Sequence, residues 1–348
     1  MSAATSAGAP ETTTASPAPV SARERMRRRR RTVVLVLSVL LVVGFVLAIC
    51  LGRYVLTPAE VVEAFVKLES FDHQVVVEWR LPRTLAAIAF GGALAASGAI
   101  FQTLSRNPLG SPDVIGFSTG AYTGALIAGI VLGNAVPVEL GALVGGFVTA
   151  AVVYLLAYRR GIDGFRLIIV GVAVSGILSA VNVWIRLRAK AEVAMAAGAW
   201  GAGSLSLVDW ARLVPAMIVI AILGVALIVL APRLRQLELG DDAAKAHGVR
   251  VEPSRLALVA VGVALAAIAT AVTGPIAFIA LAAPQIAARL TRGPGIPLIP
   301  AALLGAVLLL AADQLAQNAL PGVPVGVVTV CVGGGYLIWL LVREARRR

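Results

Sequence analysis

Two arginines three residues apart, in Arg80-Leu-Pro-Arg83, stand where a long apolar run begins, and the polar turn Arg106-Asn107-Pro108 stands where that run stops. Each guanidinium carries a fixed positive charge and a planar fork of donors. The proline fixes a turn that ends a helix. Two cations and a fixed turn suggest a docking surface joined to a moving helix. A second polar cluster lies between Gly240 and Gly248, where Asp241, Asp242, Lys245 and His247 interrupt an alanine-rich stretch. Asp241 reads as a helix N-cap and Gly248 as a C-terminal cap, which predicts about two turns of helix. A short charged helix of this kind serves equally well as a plug for a partner or as a solvated linker.

Other chemistry is missing. Asp313 is the one carboxylate well inside an apolar run, Asp113 marks the start of another, and the two histidines, His73 and His247, fall in loops. No Ser/His/Asp, paired-carboxylate or histidine-rich arrangement converges on one place, so no catalytic residue and no metal ligand set is assigned. Proton-driven carriers keep titratable groups at membrane depth, and this chain has almost none there, which disfavours a proton-coupled secondary transporter. There is no Gly-x-x-x-x-Gly-Lys-Ser/Thr, and the only lysines are Lys67, Lys190 and Lys245. Any driving energy from a nucleotide therefore comes from another subunit.

The elements that must position these residues are membrane helices. Of 348 residues, 59% are hydrophobic and 14% charged, with mean hydropathy +0.91. Apolar runs of about 18 to 22 residues recur, each long enough to cross a hydrocarbon core about 30 Å thick. Ten spans are expected near residues 33–52, 84–105, 114–132, 138–157, 166–186, 211–231, 255–273, 277–291, 298–317 and 324–343. The eighth is short and follows Gly274-Pro275, so a re-entrant half-helix is an alternative there. Residues 1–32 read as a disordered basic cytoplasmic tail, 33–343 as one transmembrane domain with a large cytoplasmic loop at 232–254, and 344–348 as a basic cytoplasmic C-terminus.

The net charge of +12 is membrane topology and not a nucleic-acid footprint. With both termini inside, the arginine clusters at 27–31, 159–160, 233–235, 289–292 and 343–348 all fall on the cytoplasmic face. Arg186, Arg188 and Lys190 break the pattern and come out on the external side. Cys50 and Cys331 lie in apolar runs, where a thiol acts as a small apolar side chain. Glycines at four-residue spacing (Gly116, Gly120 and Gly124; Gly129 and Gly133; Gly141 and Gly145) read as close helix packing.

The ordered set Arg80-Leu-Pro-Arg83, Gly98 with Gln102, Arg106-Asn-Pro-Leu109, Gly116-Phe-Ser-Thr-Gly-Ala121, Gly240-Asp-Asp-Ala-Ala-Lys-Ala-His-Gly248, Gly274-Pro-Ile-Ala-Phe278, Ala283-Pro284 with Arg289, Ala312-Asp313 and Pro324-Val-Gly-Val-Val-Thr329 resembles the FecCD-type permeases. These are the membrane subunits of type II ABC importers for iron-siderophores, haem and cobalamin. Arg166-Leu-Ile-Ile-Val-Gly171 and the stretch from Trp200 to Trp210 look most like the ferric enterobactin-type branch.

The resemblance implies an all-α fold of about ten transmembrane helices, alternating access, no enzymatic activity in this chain and no cofactor. It implies as partners separate ATP-binding cassette subunits, an extracytoplasmic substrate-binding protein, a second permease subunit, membrane lipid and a ferric siderophore, with cobalamin or haem as the alternative cargo. By the same resemblance Arg80 and Arg83 pair with carboxylates of the binding protein. Gly240, Asp241, Asp242, Lys245, His247 and Gly248 couple to the ATPase. Gln102, Asn107, Pro108, Gly274, Pro275 and Asp313 belong to structural and gating motifs. Three departures stand out: Gln317 where a cobalamin-type permease offers a further arginine, Gln285 where many relatives have histidine, and Gly322-Val-Pro324 for Glu-Leu-Pro. They point toward docking shared with a nonidentical partner, hence a heterodimer.

Overall fold

In hydrocarbon only a helix satisfies its own backbone, so each apolar run is expected to be one. The computed structural model of this chain describes residues 22–158 and 164–345, other than 114 and 134. Its elements are α1 (Ala22–Cys50), α2 (Pro58–Val66), α3 (Phe71–His73), α4 (Leu81–Ser105), α5 (Phe117–Leu126), α6 (Val138–Ala157), α7 (Gly164–Arg188), α8 (Ala191–Gly201), α9 (Trp210–Glu238), α10 (Asp241–Ala246), α11 (Val251–Thr273), α12 (Ile279–Thr291), α13 (Leu298–Asn318) and α14 (Val325–Ala345). The ten expected spans correspond to α1, α4, α5, α6, α7, α9, α11, α12, α13 and α14.

Two span starts and one connection differ most from expectation, each for a local reason. Helix α1 begins at Ala22, so residues 22–32 of the expected disordered tail are helical; residues 1–21 lie outside the described residues. Arginine is a good helix former, and the apolar run that follows propagates the helix back through it. The second span begins at Phe71, because α3 runs through a π-helical stretch, Gln74–Arg80, into α4 without a break. Arg80 and Arg83 therefore sit inside a helix and not at its start. The connection before it is also helical: α2 is closed by a capping box in which Thr57 N–H donates to Glu60 Oε2 (2.7 Å) and Glu60 N–H to Thr57 Oγ1 (3.3 Å).

Helix α4 is the most buried of the long spans, whereas α1, α7 and α9 are largely uncovered in the single chain. Close approach around α4 rests on glycine. A Cβ on Gly91 would stand 2.4 Å from the carbonyl oxygen of Gly305 in α13, and one on Gly98 only 1.7 Å from that of Ala280 in α12. The expected glycine packing holds between α5 and α6, where a Cβ on Gly124 would meet the Gly141 carbonyl at 2.0 Å. Gly133 differs: it has φ +58° and open space around its Cβ position, so it serves a turn.

Two spans are short. Helix α5 with its π-helical continuation covers Phe117–Val131, 15 residues, about 22 Å at the helical rise and well under the thickness of the hydrocarbon core. Helix α12 has 13 residues. Both are preceded by irregular backbone, which membrane proteins tolerate only where protein or water satisfies it.

Candidate functional site

At the end of the molecule carrying α2 and α3, both arginines are engaged within the chain. Arg80 Nη1 donates to the carbonyls of Ile49 (2.7 Å) and Cys50 (3.2 Å), and Nη2 donates to that of Tyr54. Ile49 and Cys50 close α1 and Tyr54 lies in the turn after it, so Arg80 caps that helix and pins the chain that leaves it. Arg83 chelates Asp313: Nε lies 3.2 and 3.0 Å from its two oxygens and Nη2 2.7 Å from Oδ1. Asp313 is 1% exposed at its side chain and Arg83 20%. Gln317 Nε2 donates to Oδ2 at 2.6 Å, completing the shell around a buried carboxylate.

A cavity of about 350 Å³ opens beside this clasp, lined by Arg53, Arg83, Ser204, Ser206 and Gln317 among others. Arg53 is exposed, and no hydrogen bond or ion pair engages it among the described residues. The sequence reading passed over it, although a lone arginine just past the first span, away from the basic clusters, was a visible signal.

At the opposite end, α10 is held by Asp241. Its carboxylate receives Arg106 Nη2 (2.8 Å) from the end of α4, and Arg255 Nη2 (2.8 Å to each oxygen) from the first turns of α11. Arg255 is 5% exposed at its side chain and also donates to Glu252 at 3.1 Å. Burial pushes the Asp241 carboxyl up, but the Arg255 hydrogen bond and the charges of Arg255, Arg106 and Lys245 outweigh it, leaving it below its ordinary value of 3.8.

Asp241 is not the N-cap expected of it. Gly240, at φ +114°, takes that position, and Asp241 is the first helical residue with its side chain spent on the two arginines. Gly248, at φ +78°, lies just past the C-cap His247, as expected of a terminating glycine. The outward residues of α10 are Asp242, fully exposed and 3.4 Å from Lys245 Nζ, and His247, whose Nδ1 lies 2.7 Å from the Ala243 carbonyl. A recess of about 550 Å³ lies beside them, lined by His247, Gly248, Arg233 and Arg250 among others.

Gln102 and Gln285 tie the last turns of α4 and the loop after it to α12. Gln102 Nε2 donates to the Leu281 carbonyl (2.9 Å), and Gln285 donates to that of Pro108. Asn107 Oδ1 accepts the Leu109 N–H (2.9 Å), closing an Asx turn. The break before α12 opens at Gly274, φ +73°, where a Cβ would lie 2.1 Å from the Trp200 carbonyl. Ser204 N–H donates to the Thr273 carbonyl (2.7 Å), so the segment after α8 covers the last turn of α11. The predicted site residues thus fall into two separate clusters joined by α4, with Pro275 apart from both, on a cavity between α5 and α7.

Known proteins resemble the chain over most of its length. A family model described as the FecCD transport family matches residues 40–343. The chain is 53% identical over 277 residues to the ferric enterobactin transport system permease protein FepG of Escherichia coli, covering 79% of this chain and 84% of that one. It is 35% identical over 321 residues to the Fe(3+)-citrate import system permease protein YfmE of Bacillus subtilis, covering 90% and 96%. A solved structure of a metal-chelate type ABC transporter in an inward-facing conformation superposes with TM-score 0.78 at 28% identity, covering 90% of this chain and 99% of that one.

Proposed function

That the chain belongs to the FecCD transport family is the premise from which we propose its working cycle. It is a membrane-spanning permease subunit of an ABC importer, and ATP hydrolysis resides in separate subunits. Its cargo in this reading is a ferric siderophore, supported by the relatives' named substrates. A second, nonidentical permease subunit completes the pathway in the bacterial plasma membrane, with both termini in the cytoplasm.

The observation that carries the mechanism is the Asp241 clasp. A cassette subunit that grips the exposed side of α10, at Asp242, Lys245 and His247, moves a helix already bonded to α4 and α11. Cassette closure on ATP then reorients two spans at once, and the bundle alternates between outward and inward access. On the far face Arg53, exposed beside the cavity that Arg83 lines, offers a charge to a carboxylate of the delivering protein. Arg83 reaches such a partner only by sharing or leaving Asp313.

Reconstitution tests the reading. The complete complex in vesicles with trapped ATP, cassette subunits and binding protein is expected to accumulate a ferric chelate, and to stop when the cassette is omitted. Uptake that continues without a cassette and follows a proton gradient overturns it.

A further inference from the structure

Helix α7 carries four of its polar side chains on one line. Ser175, Ser179, Asn182 and Arg186 recur at intervals of four, three and four residues, which stacks them on one helix face. Against hydrocarbon such a stripe leaves hydroxyl, amide and guanidinium unsatisfied, so it is expected where water or protein meets it. Across from it stands the start of the short helix α5. Ser179, Asn182 and Arg186 bound, with Ser118, Thr119 and Tyr122, a cavity of about 310 Å³. Asn182 is only 3% exposed, yet its Oδ1 has no hydrogen-bond partner, and the buried Ser175 Oγ has none either. A buried acceptor on a polar cavity awaits a donor from outside the protein.

Arg186 is positioned and uncompensated. Its guanidinium lies over the Tyr122 ring, 6.0 Å from the centroid, and Nε reaches the Asn182 carbonyl at 3.4 Å. Tyr122 is itself fixed, stacked on Trp200 at 6.2 Å and 10°, with its hydroxyl donating to the Ala197 carbonyl at 3.2 Å. No carboxylate among the described residues forms an ion pair with Arg186. Arg188, 4.7 Å from the Trp184 ring centroid, and the exposed Lys190 extend the positive charge at this end of α7.

We propose that Arg186, held over the Tyr122–Trp200 pair and next to Asn182, is a charge-selective subsite for an anionic metal chelate passing through the permease. The inference rests on the importer reading above. A lipid phosphate would engage only the arginine at the helix end, whereas the stripe continues for three further turns toward the middle of α7. The cation sets the preference for negative charge, and the hydroxyls and Asn182 replace water around the ligand.

The test uses the complete complex in vesicles with ATP and two probes of one shape, the trianionic ferric and the dianionic germanium(IV) complexes of a tris-catecholate. Arg186→Gln is expected to slow ferric uptake about tenfold and to slow germanium uptake less, so that the ratio of the two rates falls; Arg186→Lys keeps the ratio. A substitution that slows both probes in equal proportion assigns Arg186 a structural role and overturns the proposal. So does an effect that appears only in vesicles containing anionic lipid, which makes the arginine a headgroup contact. Failure of the wild-type complex to take up either probe refutes the importer reading instead.

Discussion

Replacing Arg83 with methionine removes all three contacts to Asp313, at 3.2, 3.0 and 2.7 Å. It leaves a carboxylate that is 1% exposed at its side chain with Gln317 as its remaining side-chain donor. Stranding a buried charge in this way costs about 3–5 kcal/mol. Asp313→Asn is the milder change, roughly 1–3 kcal/mol, because Arg83 keeps an acceptor and, at 20% exposure, can turn toward water. The double variant Arg83→Met/Asp313→Leu is expected within about 1 kcal/mol of the parent, since an apolar pair of similar volume replaces the ion pair without stranding either charge. Equilibrium unfolding in mixed micelles, followed by tryptophan fluorescence, supplies the four corners of the cycle. If Arg83→Met costs no more than Asp313→Asn, or if the double variant is no better than Arg83→Met, the carboxylate is not a buried charge held by Arg83 and the reasoning fails. The same variants separate packing from docking: affinity for the binding protein should survive Asp313→Asn, which frees Arg83, and should fall in Arg53→Gln.

Further outcomes follow from the described contacts. Asp241→Asn should leave the purified complex assembled but reduce ATP-driven uptake at least about tenfold relative to ATP turnover, because Arg106 and Arg255 are left to share one neutral acceptor in place of a carboxylate; equal loss of both activities would place Asp241 outside coupling. The Asp241 carboxyl is held below 3.8, so its stabilising contribution is present above that ordinary value and is lost as pH falls through the lower folded one. The acid limb of the unfolding curve should therefore flatten in Asp241→Asn. Gly98→Ala forces a methyl to within 1.7 Å of the Ala280 carbonyl oxygen and should destabilise by at least about 1–3 kcal/mol. Gly224→Ala, in mid-helix with nothing within 4 Å, should be neutral or stabilising by up to about 1 kcal/mol in the same unfolding assay.

The spans were legible because hydrocarbon imposes one demand on every residue of a crossing segment: the expected 138–157 is the observed α6, Val138–Ala157. Residues 58–66 and 71–73 were missed as helix because their order comes from capping by Thr57 and Ser70 rather than from an apolar run. Within the site, types and positions were visible but partners were not. Asp241 looked like a cap because caps are local, whereas the residues that claim it, Arg106 and Arg255, are 135 and 14 positions away. Arg80 looked free because nothing in its neighbourhood announces three carbonyls contributed by the end of α1 and the turn after it, 26 to 31 residues earlier. Arg53 was overlooked because an isolated cation carries no motif.

One helix is fastened near both of its ends. Arg83 near the start of α4 grips Asp313 of α13, and Arg106 at its close grips Asp241 of α10; 23 residues separate them, about 35 Å of helix. A rod bolted at two points cannot slide along its own length by even one residue without tearing a fastening. It can still pivot, since guanidinium forks tolerate a change of angle better than a change of distance. The expected movement of α4 relative to α13 and α10 is therefore a pivot about its middle, where Gly91 and Gly98 bring it closest to α13 and α12.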